Sequence, residues 1–194
     1  MKKIILSASL ILALVVTGCQ RKVTRVEPEK QIDLSGRWND VDSRMVADEM
    51  IKQVLGEKWL SDYMQANGGK KPVVIVGFVK NKSHEQIEAE VFMKDIEKSF
   101  IKSNQVRLVQ GGEKREQVRG ERADQQDNSS QSTMKKWGLE IGADFMMQGT
   151  INSVVDSYKR DKVVFYKTNL ELTNIQTNEI VWIGDKEIKK TVKN

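Results

Sequence analysis

Cysteine and histidine are scarce in this 194-residue chain, which has one of each. A single cysteine cannot form an internal disulfide, so a hydrophobic core must hold the fold together. The lone histidine, His84, cannot form a metal-ligand cluster with a second one, and neither HExxH, GxSxG nor a P-loop occurs. Two S-x-x-K matches, at Ser99 and Ser132, lack their companion motifs. The sequence therefore predicts no catalytic residue, no metal site and no cofactor.

The chain also lacks any strong excess of one charge. It has 32 basic and 27 acidic residues and a formal net charge of +5, and Lys2 and Lys3 belong to an export signal described below. The other charges are interspersed, and no motif combines aromatic with basic residues in the manner of a nucleic-acid-binding module. We expect a solvated charged surface, with neither nucleic acid nor a small-molecule substrate as partner.

Only the N-terminus carries a long apolar run. Two lysines precede an apolar stretch over 4–16, which ends in Val16-Thr17-Gly18-Cys19. About 20 apolar residues are needed to span a membrane, so this pattern is typical of a secretory signal, with an uncleaved anchor as the alternative. Small residues before a cysteine resemble the lipobox of bacterial lipoproteins. The resemblance implies removal of residues 1–18 and lipidation of Cys19.

The residues after Cys19 are polar up to position 33 and show no apolar period, so they predict a flexible tether over 19–33. About 15 residues extend to at most roughly 50 Å. Residues 34–194 then form one domain of ordinary size. Gln20 is not the aspartate that commonly retains lipoproteins in the inner membrane. We therefore expect lipid anchoring in the outer membrane, with the domain facing the periplasm.

Apolar spacing in the first half of the domain predicts alternating helices and strands. It indicates helices over 41–55 and around 59–63, a central strand over 72–79 buried on both faces, and a short strand over 106–109. Ser83 and Gln86 match a capping box at the start of a further helix. That helix carries one apolar face, formed by Ala89, Phe92, Met93, Ile96 and Phe100.

The second half begins with a segment, 113–132, that is almost without apolar residues. We expect part of it to be an exposed helix and 125–130 to be a loop. Met134, Trp137 and Ile141 indicate a helical stripe that ends at a left-handed Gly142. Strands over 145–155, 162–173 and 179–189 follow as an antiparallel meander. The fold class is therefore α/β, a single domain with a mixed sheet of about four to five strands flanked by helices.

Five motifs in this order resemble the LpoB-like penicillin-binding-protein activator lipoproteins. They are Leu34-Ser35-Gly36-Arg37-Trp38-Asn39, Pro72-Val73-Val74-Ile75-Val76-Gly77, Asn81-Lys82-Ser83, Gly142-Ala143-Asp144-Phe145 with Gln148-Gly149-Thr150-Ile151, and Glu179-Ile180-Val181-Trp182-Ile183-Gly184. The resemblance implies a domain like the N-terminal domain of TolB. It also implies a non-catalytic regulator that binds a class A penicillin-binding protein and stimulates peptidoglycan synthesis.

The docking residues expected from the sequence are Asn81, Lys82 and Ser83, because they follow the carboxyl end of the central strand, where open α/β sheets place function. The alternative is a plain helix cap. Two other functions stay open. A structural or assembly lipoprotein that holds another envelope protein is favoured by the short tether, and a hydrolase of wall polymers lacks any acid/base constellation.

Overall fold

A computed structural model describes residues 22–28, 30–133, 135 and 140–193. The chain divides into two compact units, Met1–Lys30 and Gln31–Asn194. The predicted export signal and Cys19 lie outside the described residues, and residues 22–28 and 30 form neither helix nor strand. None of the helices in the described ranges has the length and apolar content that crossing a membrane requires.

The second unit contains four helices and five strands among its described residues. In chain order they are α1 (Asp40–Gly56), α2 (Lys58–Ala66), β1 (Val73–Lys82), α3 (Ala89–Ser103), β2 (Arg107–Val109), α4 (Gly112–Asn128), β3 (Phe145–Tyr158), β4 (Asp161–Asn174) and β5 (Ile180–Val192).

The strands form one mixed sheet in the order β2-β1-β3-β4-β5. β1 pairs in parallel with β2 and β3, whereas β3, β4 and β5 are antiparallel neighbours. Parallel strands need a crossover, and α3 supplies it between β1 and β2. The predicted fold class, α/β with a mixed sheet flanked by helices, is confirmed, with five strands.

The core lies between one face of this sheet and the helices α1 and α3. Every second residue of β4 is buried, from Val164 to Leu172, as the alternating side chains of a strand with one face on the core require. The apolar faces of α1 and α3 cover these strands, and the fully buried side chains include Met50, Val54, Phe92, Ile96, Phe100, Met147, Ile151, Tyr166 and Leu170. The helix predicted over 41–55 and the apolar face of α3 are thus confirmed.

The predicted capping box at Ser83 is wrong. α3 begins at Ala89, and its N-cap, Glu88, makes no side-chain cap hydrogen bond. The Ser83 hydroxyl instead donates within a tight turn to Asn81 Oδ1, at 2.7 Å, and lies 2.9 Å from the backbone oxygen of Glu85. Ile87 is only 8% exposed, so the residues between the turn and α3 are held against the core rather than wound into the helix.

Three further local predictions fail. β1 is buried over its first half, but Phe78 is 86% exposed, so the strand is not buried on both faces throughout. The loop expected at 125–130 begins only after Asn128, because α4 continues to that residue. In the stripe that ends at Gly142, Met134 and Trp137 lie outside the described residues, while Ile141 is not helical and Gly142 does not have a positive φ.

Candidate docking face

The second face of the sheet is exposed across β1, β3, β4 and β5, and we call it the open face. Directly paired residues of neighbouring strands share a face. Gln148 pairs with Glu171, and Glu171 pairs with Ile183, so these three side chains form one row across three strands. Thr150, Asn169 and Asp185 form the next row. These residues are half-buried or exposed.

A register irregularity in β1 adds Phe78 to the first row. The pairing of β1 with β3 shifts between Val76 and Val79, and such bulges redirect the side chains within them. The Phe78 ring is 86% exposed, and Ile183 at the other end of the row is 69% exposed. With strands about 4.8 Å apart, these two apolar side chains are roughly 14 Å from each other.

Between Phe78 and Ile183 lies a shallow groove of about 600 Å³. Its floor is polar, because the Gln148 amide donates a hydrogen bond to the Glu171 carboxylate at 3.0 Å. Asn169 lines the groove beside this pair. An apolar residue at each end and hydrogen-bonding groups between them can receive a protein segment, since interfaces combine apolar contacts with a polar surround.

The charges on this face are uneven. Lys167 makes ion pairs with Asp185 at 3.3 Å and with Glu187 at 3.1 Å, and the hydrogen bond to Glu187 is the main reason that its pKa is raised. Lys80 and Lys82 line the groove, whereas Lys167 does not, and none of the ion pairs among the described residues includes Lys80 or Lys82. The β1 side of the groove therefore carries uncompensated positive charge.

The three predicted docking residues are adjacent but differ in what they offer. Asn81 Oδ1 accepts hydrogen bonds from the Ser83 backbone N–H at 2.9 Å and from the Ser83 hydroxyl at 2.7 Å, and its amide donates to Glu85 O at 2.8 Å. Asn81 and Ser83 thus stabilise the turn that follows β1. Only Lys82 presents an exposed charged group to the groove.

This turn is fixed to the N-terminal end of the domain through Glu85. Its carboxylate Oε1 accepts hydrogen bonds from the Tyr166 hydroxyl and from Trp38 N at 3.2 Å. Burial and this hydrogen bond raise the pKa of Tyr166 above its ordinary value. The Trp38 indole packs edge-on against the Tyr166 ring, with the two ring centres 5.6 Å apart. The motifs around Trp38 and Asn81 therefore meet in space and position the groove's β1 side.

His84 lies in the same turn, two positions after Lys82. Its Nδ1 lies 2.6 Å from Ser153 Oγ, which also accepts a hydrogen bond from the His84 backbone N–H at 2.9 Å. A nucleophilic dyad needs a third group to orient the histidine, and the hydrogen bonds of the described residues supply none. Those residues also contain no group of three or more potential metal ligands.

Sequence reasoning missed Phe78 and Ile183. Both lie in apolar runs, and an apolar run by itself predicts burial. The alternation of Phe78 with Lys80 and Lys82, and of Ile183 with Asp185 and Glu187, is the signal that places them on a solvent-facing side. Fold and face together define a class of protein: an α/β domain with helices packed on one side of its sheet and an exposed groove on the other.

Comparison with known proteins identifies the family within this class. A family model described as peptidoglycan-synthase activator LpoB matches residues 42–188. The chain therefore belongs to the LpoB family of peptidoglycan-synthase activators. A comparison with the curated proteins found no match.

Solved structures similar to this chain include two LpoB C-terminal domains. The domain from Salmonella enterica is 16% identical, with a TM-score of 0.46, and the match covers 77% of this chain and 99% of that one. The domain from Escherichia coli is 17% identical, with a TM-score of 0.43 and coverage of 79% and 99%. Lipoprotein GNA1162 from Neisseria meningitidis is 12% identical, with a TM-score of 0.40 and coverage of 64% and 86%.

Proposed function

We propose that this chain is a non-catalytic lipoprotein that binds a class A penicillin-binding protein and stimulates its synthesis of peptidoglycan. Membership of the synthase-activator family carries the proposal. Lipid on Cys19 anchors the chain in the outer membrane, and the domain faces the periplasm. The partner is thus a protein, and the chain itself contributes no reacting group.

The synthase docks on the open face, with apolar side chains of the partner covering Phe78 and Ile183 and hydrogen-bonding groups over the Gln148–Glu171 pair. Exposed apolar side chains of this size gain free energy when a partner covers them, at about 25 cal/mol per Å² of apolar surface removed from water. Lys82, with Lys80 beside it, faces an acidic group of the partner, while Asn81 and Ser83 hold the turn in place. Such paired charges favour correct docking and faster association.

Stimulation requires more than binding. A ligand that binds the active and inactive states of an enzyme equally well shifts no population, so the activator must bind the active synthase more tightly. A tenfold preference corresponds to about 1.4 kcal/mol. A single apolar contact made only in the active state is enough to supply a preference of this size.

The test measures glycan polymerisation and crosslinking by the organism's own class A synthase, with and without the purified chain. Phe78→Ser and Ile183→Ser should each weaken binding and reduce stimulation at least tenfold. Ile101→Ser is the matched control, because Ile101 is 64% exposed but lies on α3, away from the groove. Equal stimulation by all three variants would place the docking surface elsewhere.

One observation favours a second function, a structural or assembly lipoprotein for another envelope protein. The compact unit begins at Gln31, so only about 12 residues separate it from Cys19, and they extend to about 43 Å at most. This reach suits a partner near the same membrane. Crosslinking in cells followed by recovery of this chain separates the two functions, because only the activator should recover a penicillin-binding protein.

A further inference from the structure

The hairpin that joins β3 and β4 extends beyond the rest of the sheet. β1 pairs with β3 only as far as Asn152, whereas β3 and β4 continue to pair up to Tyr158 and Asp161. We call residues 154–163 the hairpin tip. Along the tip, β3 therefore pairs with β4 alone within the described sheet, and β4 pairs in turn with the end of β5.

The tip exposes apolar side chains that a tip of this kind does not need for folding. Tyr158 is 75% exposed, Val154 is 64% exposed and Val155 is 37% exposed. Val154 and Val155 point to opposite faces of the hairpin, because successive residues of a strand alternate. Apolar groups are thus exposed on both faces of the tip, which suits a medium that contacts both faces.

Basic residues surround this apolar surface. Lys159, Arg160 and Lys162 belong to the tip, Lys189 lies on β5 opposite Phe165, and Lys193 directly follows β5. Asp156 and Asp161 are the acidic residues of the tip, so the tip itself has three basic and two acidic side chains, and Lys189 and Lys193 add positive charge near it. The Lys159 ammonium lies 5.4 Å from the centre of the Tyr158 ring. Tyrosine and long basic side chains are typical of the membrane–water interface.

The N-terminal end of the domain arrives at the same end of the sheet. We call residues 31–39 the strap. Asp33 in the strap accepts a hydrogen bond from Lys190 at 2.6 Å, and a Cβ on Gly36 would lie 2.5 Å from Val192 Cγ2. Lys190 pairs with Val164 on β4. Val164 lies four positions after Arg160, so the strap meets β5 about 14 Å from the turn, measured along the strand.

The stretch that leads to the proposed anchor joins the domain at the strap. Cys19 and Gln31 lie 12 positions apart, a stretch that extends to at most about 43 Å. A domain of this size is roughly 40 Å across. A lipid on Cys19 therefore keeps the start of the strap within about 43 Å of the bilayer, and such tethering raises the effective concentration of even a weak contact.

We propose that the hairpin tip lies on the phospholipid head groups of the anchoring membrane, with Tyr158 and the two valines at the interface. Lys159, Arg160 and Lys162 bind lipid phosphates. This inference rests on the lipidation of Cys19 in the proposed function. It orients the domain with the tip towards the bilayer and the far end of the sheet, at the β4–β5 turn, towards the periplasm.

The test uses the full lipidated chain in vesicles of phosphatidylethanolamine and phosphatidylglycerol. An environment-sensitive fluorophore is attached at Ser157→Cys in the tip or at Gln176→Cys in the β4–β5 turn, the matched control at the opposite end of β4. Lipidation leaves the new cysteine as the only free thiol. Brominated acyl chains should quench the tip label at least twofold and leave the control label unchanged.

Two results would overturn the proposal. One is a tip label that is no more quenched than the control while the protein still floats with the vesicles. The other is unchanged quenching when Lys159→Glu and Arg160→Glu are combined with Ser157→Cys. Failure of lipidation gives a different result. An unlipidated chain would be labelled on Cys19 and would lack the lipid that makes it float with the vesicles. Circular dichroism of each variant confirms that the fold is retained.

Discussion

Replacing Lys190 by methionine should strongly destabilise the domain. The Lys190 side chain is only 9% exposed, and its ammonium contacts Asp42 and Asp33 at 2.6 Å each. The Asp42 side chain is 3% exposed. Burial opposes the charged lysine, but the hydrogen bonds of the two carboxylates outweigh it and raise the pKa of Lys190. Methionine keeps the packing and leaves the Asp42 carboxylate buried without its cation.

Breaking one side of a buried ion pair costs about 3–5 kcal/mol. The Asn39 backbone N–H still bonds to Asp42, which favours the lower end, about 3 kcal/mol. With a urea slope of about 2 kcal/mol per molar, the unfolding midpoint should fall by roughly 1.5 M. Lys190→Met combined with Asp42→Asn should recover much of this loss, because the uncompensated charge is gone.

Lys167→Met is the matched control. Lys167 also contacts two carboxylates, but its side chain is 37% exposed, and exposed ion pairs contribute at most about 1 kcal/mol. Urea unfolding followed by circular dichroism should separate the two variants by about 1 M or more in midpoint. Equal midpoints for Lys190→Met and Lys167→Met would refute the reasoning.

The same contact gives a pH dependence. The hydrogen bond from Lys190 is the main reason that the pKa of Asp33 is held below its usual 3.8. A carboxyl group with a lowered pKa in the folded state stabilises the fold above its ordinary pKa and loses this contribution as the pH falls through the lowered value. The difference in free energy of unfolding between the wild type and Lys190→Met should therefore shrink below about pH 4.

Two further predictions concern the rest of the fold. A Cβ on Gly149 would lie 2.0 Å from Asn169 O, so Gly149→Ala must push the β4 backbone away and should cost about 3 kcal/mol in urea unfolding; an unchanged midpoint would contradict this close approach. Burial and a hydrogen bond to Asp144 raise the pKa of Tyr63 to about 12, so the wild type should lose stability as the pH rises from 10 to 12. Tyr63→Phe should weaken that dependence in thermal melts, and an identical pH profile would contradict it.

Much of the fold could be predicted because its signals are local. The alternation in β4 places Val164 and Tyr166 in the core and Lys167 outside, and a strand with one exposed face requires this pattern. The helical face that carries Phe92 and Ile96 is equally local. The extra length of β3 and β4 is less evident, because exposed residues such as Ser157 and Tyr158 extend the hairpin through backbone pairing alone.

The parts that could not be predicted depend on contacts between distant residues. Phe78 is exposed because β1 changes register against β3, and neither strand shows this alone. Ser83 does not cap α3 because Asn81 and Glu85 bind its hydroxyl. The docking set Asn81, Lys82 and Ser83 follows from a general rule about strand ends, and its role in binding stays a proposal. The groove next to Lys82 became evident only when four strands were brought together.

The role of the short tether follows from the two proposals together. A tip that rests on the anchoring membrane fixes one end of the sheet there and leaves the open face accessible from the side. Residues 19–31 extend to roughly 43 Å at most, which limits the distance of the domain from the anchoring membrane. A synthase that binds this chain must then extend towards that membrane. The geometry assigns the longer reach to the partner.

The most direct test of the central claim adds the purified chain to its own class A penicillin-binding protein and follows glycan polymerisation. The account predicts saturable binding and a several-fold higher rate, and both should be lost in Phe78→Ser and kept in Ile101→Ser. A rate that stays the same at concentrations well above those of the synthase, with no measurable binding, would contradict the account.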